Sequence, residues 1–545
     1  MFLWGGEEWS VRRSKAKLLV GDSDSAGLRR ALLLGAGAAT VWAALAIVDH
    51  RNGNSGIFDL GLIEQALWTG LQGRDFYSSV LGHGYLGEHW ALVLHVALVA
   101  YRAWTSTTAL IVLQALALGC SAPAVWFLAR ASGLGQGAAL VWIGIVLLHP
   151  TFTYIALWDV HPVVVAMPLL LGALAAAADE QWNLATLLTL ATLAAHEELG
   201  LVVAALGFSW FLLHWQFLRG GLLVALGLGW FAAAFGIWMP ARMGGDIAPL
   251  QHFAWLGSTV PEVLRHLVGH PIETLRQANS PAKLMMLAGM LLPFAGLPLL
   301  GGRVVVPILA PLLYCFLSTA PHQFDLRSPY MSLTLPFLVA GAIKAAGRCK
   351  PRHVPSPLRT VAAVIAVLAS QFVFLILPPV AARNDLGTAV AWTPSPAVVE
   401  LRRIGIPPGS EPVTASNALG AHLARRSDLC LFAPAGWPTD STSATCAPRG
   451  LAAIAVPRPE PRSYYIDLDA SDPWPFRERD AYLAAVRALL TRADLRLRHH
   501  GHGLLVLEPG ARDATAAEIV LDHLRQAPAR PPRGFGLRRR VWSGR

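Results

Sequence analysis

The sequence predicts an all-α polytopic transmembrane bundle of about 11 helices with a small C-terminal α/β domain, and three observations lead to this fold class. The 545 residues are 54% hydrophobic and only 14% charged, whereas a soluble protein carries about 25% charged residues. Apolar runs long enough to cross a bilayer, which needs about 20 residues each, recur through the first 380 residues. Beyond them, short runs alternate apolar and polar residues, which is typical of strands.

The transmembrane domain is predicted to cover residues 31–380 and to follow a basic cytoplasmic segment, 1–30. We interpret its first span as an uncleaved helix, because many more spans follow it. The run 183–196 is short enough for a partial crossing, and 86–104 is interpreted as lying along the membrane. The eleven candidate spans are 31–48, 108–130, 137–156, 163–178, 183–196, 199–218, 221–239, 283–300, 304–320, 330–346 and 358–379.

Basic loops set the orientation, because arginine and lysine favour the cytoplasmic face. Threading the spans from a cytoplasmic N-terminus places Arg130, Arg219, Arg303 and the loop 344–359 inside. The chain is therefore expected to be a multi-pass membrane protein with a cytoplasmic N-terminus and its C-terminal domain outside. The segments that this threading places outside are 49–107, 157–162, 240–282, 321–329 and 380–545.

Tight polar clusters interrupt the apolar runs, and the threading brings all of them to the outer face. A charge near a bilayer is costly, so a cluster that is kept there usually has a function. Shifting one span would scatter the clusters over two faces. They are Phe58-Asp59-Leu60-Gly61 with Glu64 and Gln65, Glu88-His89, Asp159-Val160-His161-Pro162, His196-Glu197-Glu198 and His322-Gln323-Phe324-Asp325.

Each cluster also has a local structural interpretation. Asp59 opens a helical pattern and suits a helix N-cap as well as a general base or a metal ligand. A pair such as Glu88-His89 either is a solvated loop pair or binds a cation and moves protons. His161 is either oriented by Asp159 or caps the helix that begins at Pro162.

The cluster His196-Glu197-Glu198 is the hardest to explain structurally. Each ionised residue at mid-membrane costs about 2.5–3.5 kcal/mol on insertion scales. The cluster therefore indicates a water-lined cavity, a cationic partner or a position at a helix end. It is not an HExxH zinc-protease motif, because the fourth residue after His196 is Gly200.

Residues 381–526 are predicted to form the extracytoplasmic α/β domain. Strands are expected at Leu429–Ala433, Tyr464–Leu468 and Leu504–Leu507, and an amphipathic helix at Ala481–Arg492. Cys430 and Cys446 can pair if this region is outside the cytoplasm. The tail 527–545 is rich in proline and arginine and is expected to be disordered.

The net charge of +10 does not indicate a nucleic-acid partner. Much of the basic charge falls in short loops between apolar runs, where it orients a membrane protein. The sequence has neither a P-loop nor zinc-finger spacing. The lipid bilayer is the expected surrounding.

The clusters resemble the ordered motifs of an uncharacterised bacterial membrane family, known only as a domain of unknown function and distantly related to GT-C glycosyltransferases. The resemblance covers about residues 30–380, and Ser416-Asn417-Ala418-Leu419 resembles its outer C-terminal segment. Two departures are that the family's usual Lys-Glu-Asp is replaced here by a cluster beginning at His196, and that His322-Gln323 only loosely matches a His-Tyr-Ser-like motif. The matching motifs are Phe58-Asp59-Leu60-Gly61 with Gln65-Ala66-Leu67-Trp68, Leu86-Gly87-Glu88-His89, Asp159-Val160-His161-Pro162 and His196-Glu197-Glu198-Leu199-Gly200.

The resemblance implies a GT-C-like domain in the bacterial inner membrane that transfers a sugar, with inversion, from a polyprenyl-phosphate donor to an extracytoplasmic lipid, glycan or protein. It implies that Asp59 is the catalytic base, and that Glu88 and His89 add a second acid/base group. The same three residues are the expected ligands if a divalent cation, Mg or Mn, takes part. Arg327 and Arg242 are the candidates for holding the donor phosphate. The other predicted substrate-binding residues are Glu64, Gln65, Asp159, His161, His196, Glu197, Glu198 and His322.

Two other functions are compatible with the composition. One is a transporter or flippase of a lipid-linked or polar solute, and the other is a non-catalytic envelope protein. A transporter often shows inverted repeats and ionisable residues deep in several spans, whereas these clusters lie at span ends on one side. A binding protein has no need for His196-Glu197-Glu198 inside an apolar segment.

Overall fold

The computed structural model describes residues 22–243, 252–257, 259–348, 392–432, 462–470 and 479–526, with isolated positions between the later ranges. The predicted span 358–379, Cys446 and the tail 527–545 lie outside the described residues. The described part of the membrane region is helical apart from one two-stranded hairpin, β1 (Tyr77–Ser78) with β2 (His83–Gly84). This agrees with the predicted helical bundle.

The helices of the bundle follow the predicted spans closely, and several of them are short. Turns of 3₁₀ or π geometry join some of them, at Ile57–Gly61, Pro162–Val165, Ala234–Trp238, Leu292–Phe294, Leu297–Leu300, Gly302–Ile308, Pro321–Phe324 and Pro329–Leu333. The helices are α1 (Asp22–Arg51), α2 (Leu62–Gly70), α3 (Tyr85–Glu88), α4 (Val93–Ala103), α5 (Thr107–Gly119), α6 (Ser121–Ala131), α7 (Gln136–Leu147), α8 (Pro150–Leu157), α9 (Ala166–Ala178), α10 (Trp182–Thr192), α11 (Leu199–Leu213), α12 (Phe217–Ala233), α13 (Met239–Met243), α14 (Val260–Gly269), α15 (Pro271–Ala278), α16 (Pro281–Leu291), α17 (Leu309–Leu317) and α18 (Leu335–Arg348).

Among the described residues, three helices are long and apolar enough to cross a membrane: Asp24–Arg51, Thr107–Ala131 and Phe217–Met243. A fourth crossing results if α7 and α8, which meet at a 55° bend, are one span. The predicted spans 163–178, 199–218, 283–300 and 304–320 overlap shorter apolar helices, and 183–196 and 330–346 overlap α10 and α18. Pro150 begins α8 and explains the bend, because proline lacks an amide hydrogen and suits the first helical turn.

Helices α11 and α12 approach each other backbone to backbone. A Cβ added to Gly200 would lie 2.6 Å from the Gly227 carbonyl oxygen, and one on Gly207 would lie 2.8 Å from that of Gly220. No side chain fits at such distances, so these glycines set the helix separation. Small residues at helix interfaces allow this close packing in membranes, where the hydrophobic effect does not drive helices together.

The C-terminal domain contains a mixed five-stranded sheet of order β4-β3-β5-β7-β6, which confirms the predicted α/β class. The parallel strands come first and the antiparallel pair last. All three predicted strands and the predicted helix are present. The elements are β3 (Val413–Ala415), β4 (Leu429–Leu431), β5 (Ser463–Asp467), β6 (Leu495–Gly501), β7 (Leu504–Pro509), α19 (Pro396–Ile404), α20 (Asn417–His422), α21 (Arg479–Thr491) and α22 (Ala514–Gln526).

This domain packs on the segment that follows α1. Ile57 and Leu60 share one buried core with Leu419, and a Cβ on Gly420 would lie 2.6 Å from Ile57 Cδ1. Ser79 Oγ donates to the Leu429 carbonyl oxygen at 2.8 Å. The C-terminal sheet therefore supports the segment that carries the first polar cluster. Cys430 in β4 is disulfide-bonded.

The bundle has two chemically different ends. We call the end with Asp59, Glu88, Asp159, Glu197 and Glu198 the acidic end. The span Thr107–Ala131 starts there, because Thr107 Oγ1 donates at 2.6 Å to Glu64, in the helix that directly follows the Asp59 turn. Its other end reaches Arg130, whose guanidinium pairs with Asp24 at 3.1 Å.

The basic end consists of Arg130, Arg219, Arg303 and Arg348. Arg303 donates to the Leu213 carbonyl oxygen at 2.7 Å, near the end of α11, and Arg219 donates to Asn183 Oδ1 at 2.8 Å. Arginines at helix C-termini satisfy carbonyl groups that have no partner within the helix. Arg303 thereby caps the end of α11, whereas Arg219 bonds to a neighbouring side chain, so both arginines have local structural roles.

Candidate active site

Asp59 lies in the π-helical turn Ile57–Gly61, so it is not the helix N-cap that the local sequence also allowed. Gly56 occupies the N-cap position and no side chain caps the turn. The turn is held from outside: the Gly56 amide donates to Asp159 Oδ2 at 3.0 Å, and the Ile57 amide donates to Asn417 Oδ1 at 2.8 Å. The Asp59 side chain is 36% exposed, which leaves it accessible to a substrate.

Asp59 is paired with His161. His161 Nε2 lies 3.5 Å from Asp59 Oδ1, and Nδ1 lies 2.9 Å from the Asp159 carbonyl oxygen. A carbonyl oxygen only accepts, so Nδ1 carries a hydrogen and Nε2 faces the carboxylate. His161 does not cap the next helix by a side-chain hydrogen bond. Asp159 orients His161, as predicted, and does so through its main chain.

Glu197 contacts two histidines through its two carboxylate oxygens. Its carboxylate oxygen Oε1 lies 3.1 Å from His89 Nδ1, and Oε2 lies 3.3 Å from His196 Nδ1. The Trp90 amide also donates to Oε2 at 2.9 Å. Glu197 is fully buried in the turn between α10 and α11. The predicted cluster therefore lies at a helix end, which is one of the three explanations that its cost allowed.

Glu198 points to a different partner. Tyr314 in α17 donates its hydroxyl hydrogen to Glu198 Oε1, and Gln323 Nε2 donates to the Tyr314 hydroxyl oxygen at 2.7 Å. His322 is connected to the same region, because its ring lies 5.8 Å from that of Tyr330, which in turn lies 6.0 Å from the His196 ring. Tyr314 and Tyr330 therefore connect the cluster at His322-Gln323 with the cluster at His196-Glu197-Glu198.

Tyr85 lies where the carboxylates converge. Burial, and then the charges of Glu197, Asp59 and Glu88, raise the pKa of Tyr85 well above its usual value. The three carboxylates therefore act on one hydroxyl group. Burial opposes protonation of His89, but the Glu197 carboxylate outweighs it and raises the pKa of His89 to about 9.

Glu88 lies beside this group, with its carboxylate 3.9 Å from His83 Nε2 and its side chain 23% exposed. Burial is also the main cause of the low pKa of His322, which falls to about 3. His322 is thus a neutral imidazole at physiological pH. The structure gathers Asp59, Glu88 and His89 in one region without placing all three at ligand distance from one another.

Glu64 and Gln65 are placed elsewhere. Glu64 is buried and accepts from Tyr101 and Thr107, while Arg425 lies 3.6 Å away. Gln65 is also buried and donates to Ser79 Oγ at 2.8 Å and to the Arg426 carbonyl oxygen at 3.0 Å. Both residues join the membrane domain to the C-terminal domain.

The two predicted phosphate-binding arginines are paired with acids. Arg327 donates from Nε to Asp325 Oδ1 at 2.7 Å, and its side chain is nearly buried. Arg242 donates to Asp75 at 3.3 Å and lies over the Trp90 ring, 4.8 Å from its centroid. The Arg242 side chain is the more exposed of the two.

Among the described residues, His89, His196 and Glu197 form a group whose ligand atoms all lie within 4.8 Å of one another. His89 belongs to the predicted metal set, but its partners here are not Asp59 and Glu88. The fold explains this difference, because the turn after α10 places His196 and Glu197 beside His89, although they follow it by 107 and 108 residues in the sequence. No spacing rule connects them.

Sequence reasoning missed the tyrosines and one glutamine. Gln114 accepts from the His161 amide at 2.8 Å and donates to the Trp158 carbonyl oxygen at 3.0 Å. Gln114 and Tyr314 stand singly inside apolar runs, where a lone polar residue gives no local signal. Tyr85 adjoins the motif Leu86-Gly87-Glu88-His89, and its position there was the available hint.

The model of the predicted membrane protein family DUF2079 matches residues 50–443. The chain belongs to this family. The match contains all the polar clusters and runs into the C-terminal domain, as the sequence resemblance implied. The DUF2079 chain described here is therefore a multi-pass membrane protein. No curated protein matches it.

Two solved structures are similar to this DUF2079 chain. One is ArnT from Cupriavidus metallidurans bound to undecaprenyl phosphate, with 14% identity and a TM-score of 0.47 over 87% of this chain and 97% of that chain. The other is the same protein in the apo state, with 15% identity and a TM-score of 0.45 over 87% and 98% of the two chains. Both TM-scores lie below 0.5, so the site rests on the geometry given above.

Proposed function

We propose that this protein is an integral-membrane glycosyltransferase that moves a sugar from a polyprenyl-phosphate donor to an extracytoplasmic acceptor. The observation that carries the proposal is the partly exposed pair of Asp59 and His161 beside the buried group around Glu197. A carboxylate with an oriented imidazole is suited to take a proton from an attacking hydroxyl group. The donor class comes from the sequence resemblance.

In the proposed reaction, the acceptor hydroxyl oxygen attacks the anomeric carbon of the donor sugar. Asp59 accepts the hydroxyl proton, a new carbon–oxygen bond forms, and the bond to the donor phosphate breaks. The phosphate oxygen leaves with the electron pair as free polyprenyl phosphate. Attack from the side opposite to the leaving group inverts the anomeric configuration.

His161 supports this proton transfer. Its Nδ1 hydrogen is held by the Asp159 carbonyl oxygen, so its Nε2 atom stays directed at Asp59. A ring fixed in this orientation keeps one polar atom next to the Asp59 carboxylate during the transfer. Glu88 and the exposed edge of His89 are proposed as the second acid/base group.

We propose that the acidic end faces outside. Arginines and lysines favour the cytoplasmic face, and Arg130, Arg219, Arg303 and Arg348 lie at the opposite end. Cys430 is disulfide-bonded, and disulfides persist in oxidising compartments. The C-terminal sheet, which contains Cys430, packs against the segment after α1, so the sheet and the acidic end share one side.

Arg242 is proposed to contact the donor phosphate, and Arg327 to hold the nearby loop. A guanidinium has five N–H donors in a fork that matches phosphate geometry. Arg242 is the more exposed arginine, and Asp75 accepts only from its Nε. Arg327 is nearly buried and is bound by Asp325 through two nitrogens.

The test is donor cleavage by the full-length protein in lipid nanodiscs. A panel of polyprenyl phosphates that carry a radiolabelled hexose or pentose is incubated with envelope extract as acceptor, and released polyprenyl phosphate is measured. Wild type is expected to consume at least one donor. Asp59→Asn is expected to lower the rate by about 10²–10⁴-fold.

Asp24→Asn is the matched control, because Asp24 lies at the basic end and pairs with Arg130. It is expected to keep the wild-type rate within about twofold, since removal of an exposed ion pair changes little. Asp59→Asn at the wild-type rate would remove Asp59 as the base. In a parallel assay in sealed proteoliposomes, movement of intact donor across the bilayer without cleavage would replace the transferase by a flippase.

A further inference from the structure

We infer that His89, His196 and Glu197 form a metal site of the zinc class, in which two imidazole nitrogens and one carboxylate oxygen bind the ion. His89 Nδ1 lies 3.1 Å from Glu197 Oε1, and His196 Nδ1 lies 3.3 Å from Oε2. All three ligand atoms lie within 4.8 Å of one another. Tetrahedral zinc with bonds of about 2.0–2.1 Å holds neighbouring ligand atoms about 3.3 Å apart.

The burial of Glu197 calls for a positive charge. Its side chain is 0% exposed and that of His196 only 4%. A buried carboxylate is strongly destabilising unless it is paired or binds a metal. The contacts given by the described residues are two imidazoles and the Trp90 amide. A divalent cation between the rings would supply positive charge at this buried carboxylate.

His196 gives an independent indication. Its Nδ1 atom is buried and makes no hydrogen bond with any residue that the structure describes. Buried polar atoms without a partner are rare and call for an explanation. The His196 ring lies 4.6 Å from the His89 ring. A buried ring nitrogen that lies 3.3 Å from a carboxylate oxygen, in a ring beside a second imidazole and without a hydrogen bond of its own, is placed as a metal ligand is.

The carboxylate is also fixed in the way that metal ligands are. The Trp90 amide donates to Glu197 Oε2 at 2.9 Å, and the Trp90 ring stacks on Trp238 at 5.0 Å. Hydrogen bonds from surrounding groups orient metal ligands and raise their affinity. The α12 side of the bundle thereby positions the turn that carries Glu197.

The donor set favours zinc over the magnesium or manganese that the sequence suggested. Imidazole nitrogens suit zinc and its neighbours, whereas magnesium and manganese prefer oxygen ligands. Two histidines and one glutamate are a recurrent zinc set that leaves a fourth position for water or substrate. His89 is the exposed member, at 21%, so a fourth ligand would enter beside it.

The metal site itself does not depend on the transfer reaction. If the proposed function holds, the open position would take a phosphate oxygen of the donor, close to the pair of Asp59 and His161. That last step rests on the proposed function. The presence of zinc is decided by metal analysis alone, so the two proposals can fail separately.

The test measures zinc in full-length protein that is purified in detergent from zinc-supplemented cells. Wild type is expected to hold about one zinc ion per chain. Glu197→Gln and His196→Asn are each expected to lower the zinc content more than about tenfold. Glu198→Gln is the matched control, because Glu198 is the neighbouring buried carboxylate and lies outside the ligand group.

Wild type with less than about 0.1 zinc per chain, or equal loss in Glu198→Gln and Glu197→Gln, would overturn the site. A second measurement needs no variant and so does not depend on variant folding. Chelator-treated wild type is titrated with Co²⁺, and an absorption band of tetrahedral cobalt is expected that excess Mg²⁺ does not remove. Absence of this band in wild type would also overturn the site.

Discussion

At the two ends of the bundle, charged side chains near the bilayer have different partners. At the basic end, Arg130 is 35% exposed and pairs with Asp24, and Arg303 bonds to a helix carbonyl group. At the acidic end, Glu197 is 0% exposed and is held by two histidines and an amide. At the first end the arginines bond to a partly exposed acid or to the end of a helix. The carboxylates at the second end complete no helix.

This difference separates structural from functional charge. Surface ion pairs contribute at most about 1 kcal/mol, so the basic end needs no explanation beyond capping and membrane orientation. Replacing a buried ion pair by apolar residues is often neutral or stabilising. A buried pair is therefore not the most stable solution for a fold, and the burial of Glu197 is consistent with the proposed metal site.

The largest difference in stability between the two ends is expected when one charged side chain at each end is replaced by alanine. Glu197→Ala leaves His89 and the Trp90 amide without their carboxylate and is expected to destabilise the protein by about 3–5 kcal/mol. Arg130→Ala removes an exposed pair and is expected to cost at most about 1 kcal/mol. Thermal unfolding in detergent, followed by tryptophan fluorescence, measures both. Equal shifts for the two variants would remove the distinction.

A smaller effect is expected where α11 and α12 touch. A Cβ on Gly227 would lie 2.5 Å from the Gly200 carbonyl oxygen. Gly227→Ala therefore pushes α12 away from α11, the helix that begins directly after Glu198. Overpacking of this kind costs about 1–3 kcal/mol, and zinc content and donor cleavage should fall with it.

Gly229→Ala is the matched control for Gly227→Ala. An added Cβ at Gly229 meets no atom of the described residues within 4 Å. Alanine is favoured over glycine in helices, so this variant should be neutral or slightly stabilising. If both variants unfold at the same temperature, close packing of α11 on α12 does not position the turn.

The smallest effect in this series is expected between the two asparagines that bond across elements. Asn417 accepts from the Ile57 amide at 2.8 Å, and Asn417→Ala removes this partly buried hydrogen bond, at a cost of about 0.5–1.5 kcal/mol. Asn183 accepts from Arg219 at an exposed site, and Asn183→Ala should change stability by less than about 0.5 kcal/mol.

Donor cleavage sharpens the asparagine comparison. Asn417→Ala should slow it, because the Ile57 amide holds the turn that carries Asp59. Asn183→Ala should leave it unchanged. Slower cleavage in Asn183→Ala than in Asn417→Ala would contradict a supporting role for the C-terminal domain.

Local patterns in the sequence were sufficient for much of the fold. Apolar runs predicted the positions of the bundle helices, and alternation predicted the strands at Leu429, Tyr464 and Leu504. The same patterns could not show that several helices are too short or too bent to cross a membrane alone. Helix breaks depend on packing, as at Pro150, where α8 begins after the bend.

The site was predictable only in part, because its contacts join distant segments. The motifs singled out Asp59, His161 and Glu197, and the structure brings them to one end of the bundle. The role of Asp59 as an N-cap was a plausible local interpretation, but the chain forms a π-helical turn that Asp159 and Asn417 hold from outside. The interdomain roles of Glu64 and Gln65 required the C-terminal sheet to be in place.

The most direct test of the central claim, that the acidic end faces outside and the basic end faces the cytoplasm, is cysteine accessibility in intact cells. Single cysteines at Glu88, Val160, Phe324 and Arg219 are labelled with a membrane-impermeant maleimide before and after permeabilisation. Positions 88, 160 and 324 are expected to react in intact cells, and position 219 only after permeabilisation. Labelling of position 219 together with the other three, or protection of any one of those three, would contradict the account.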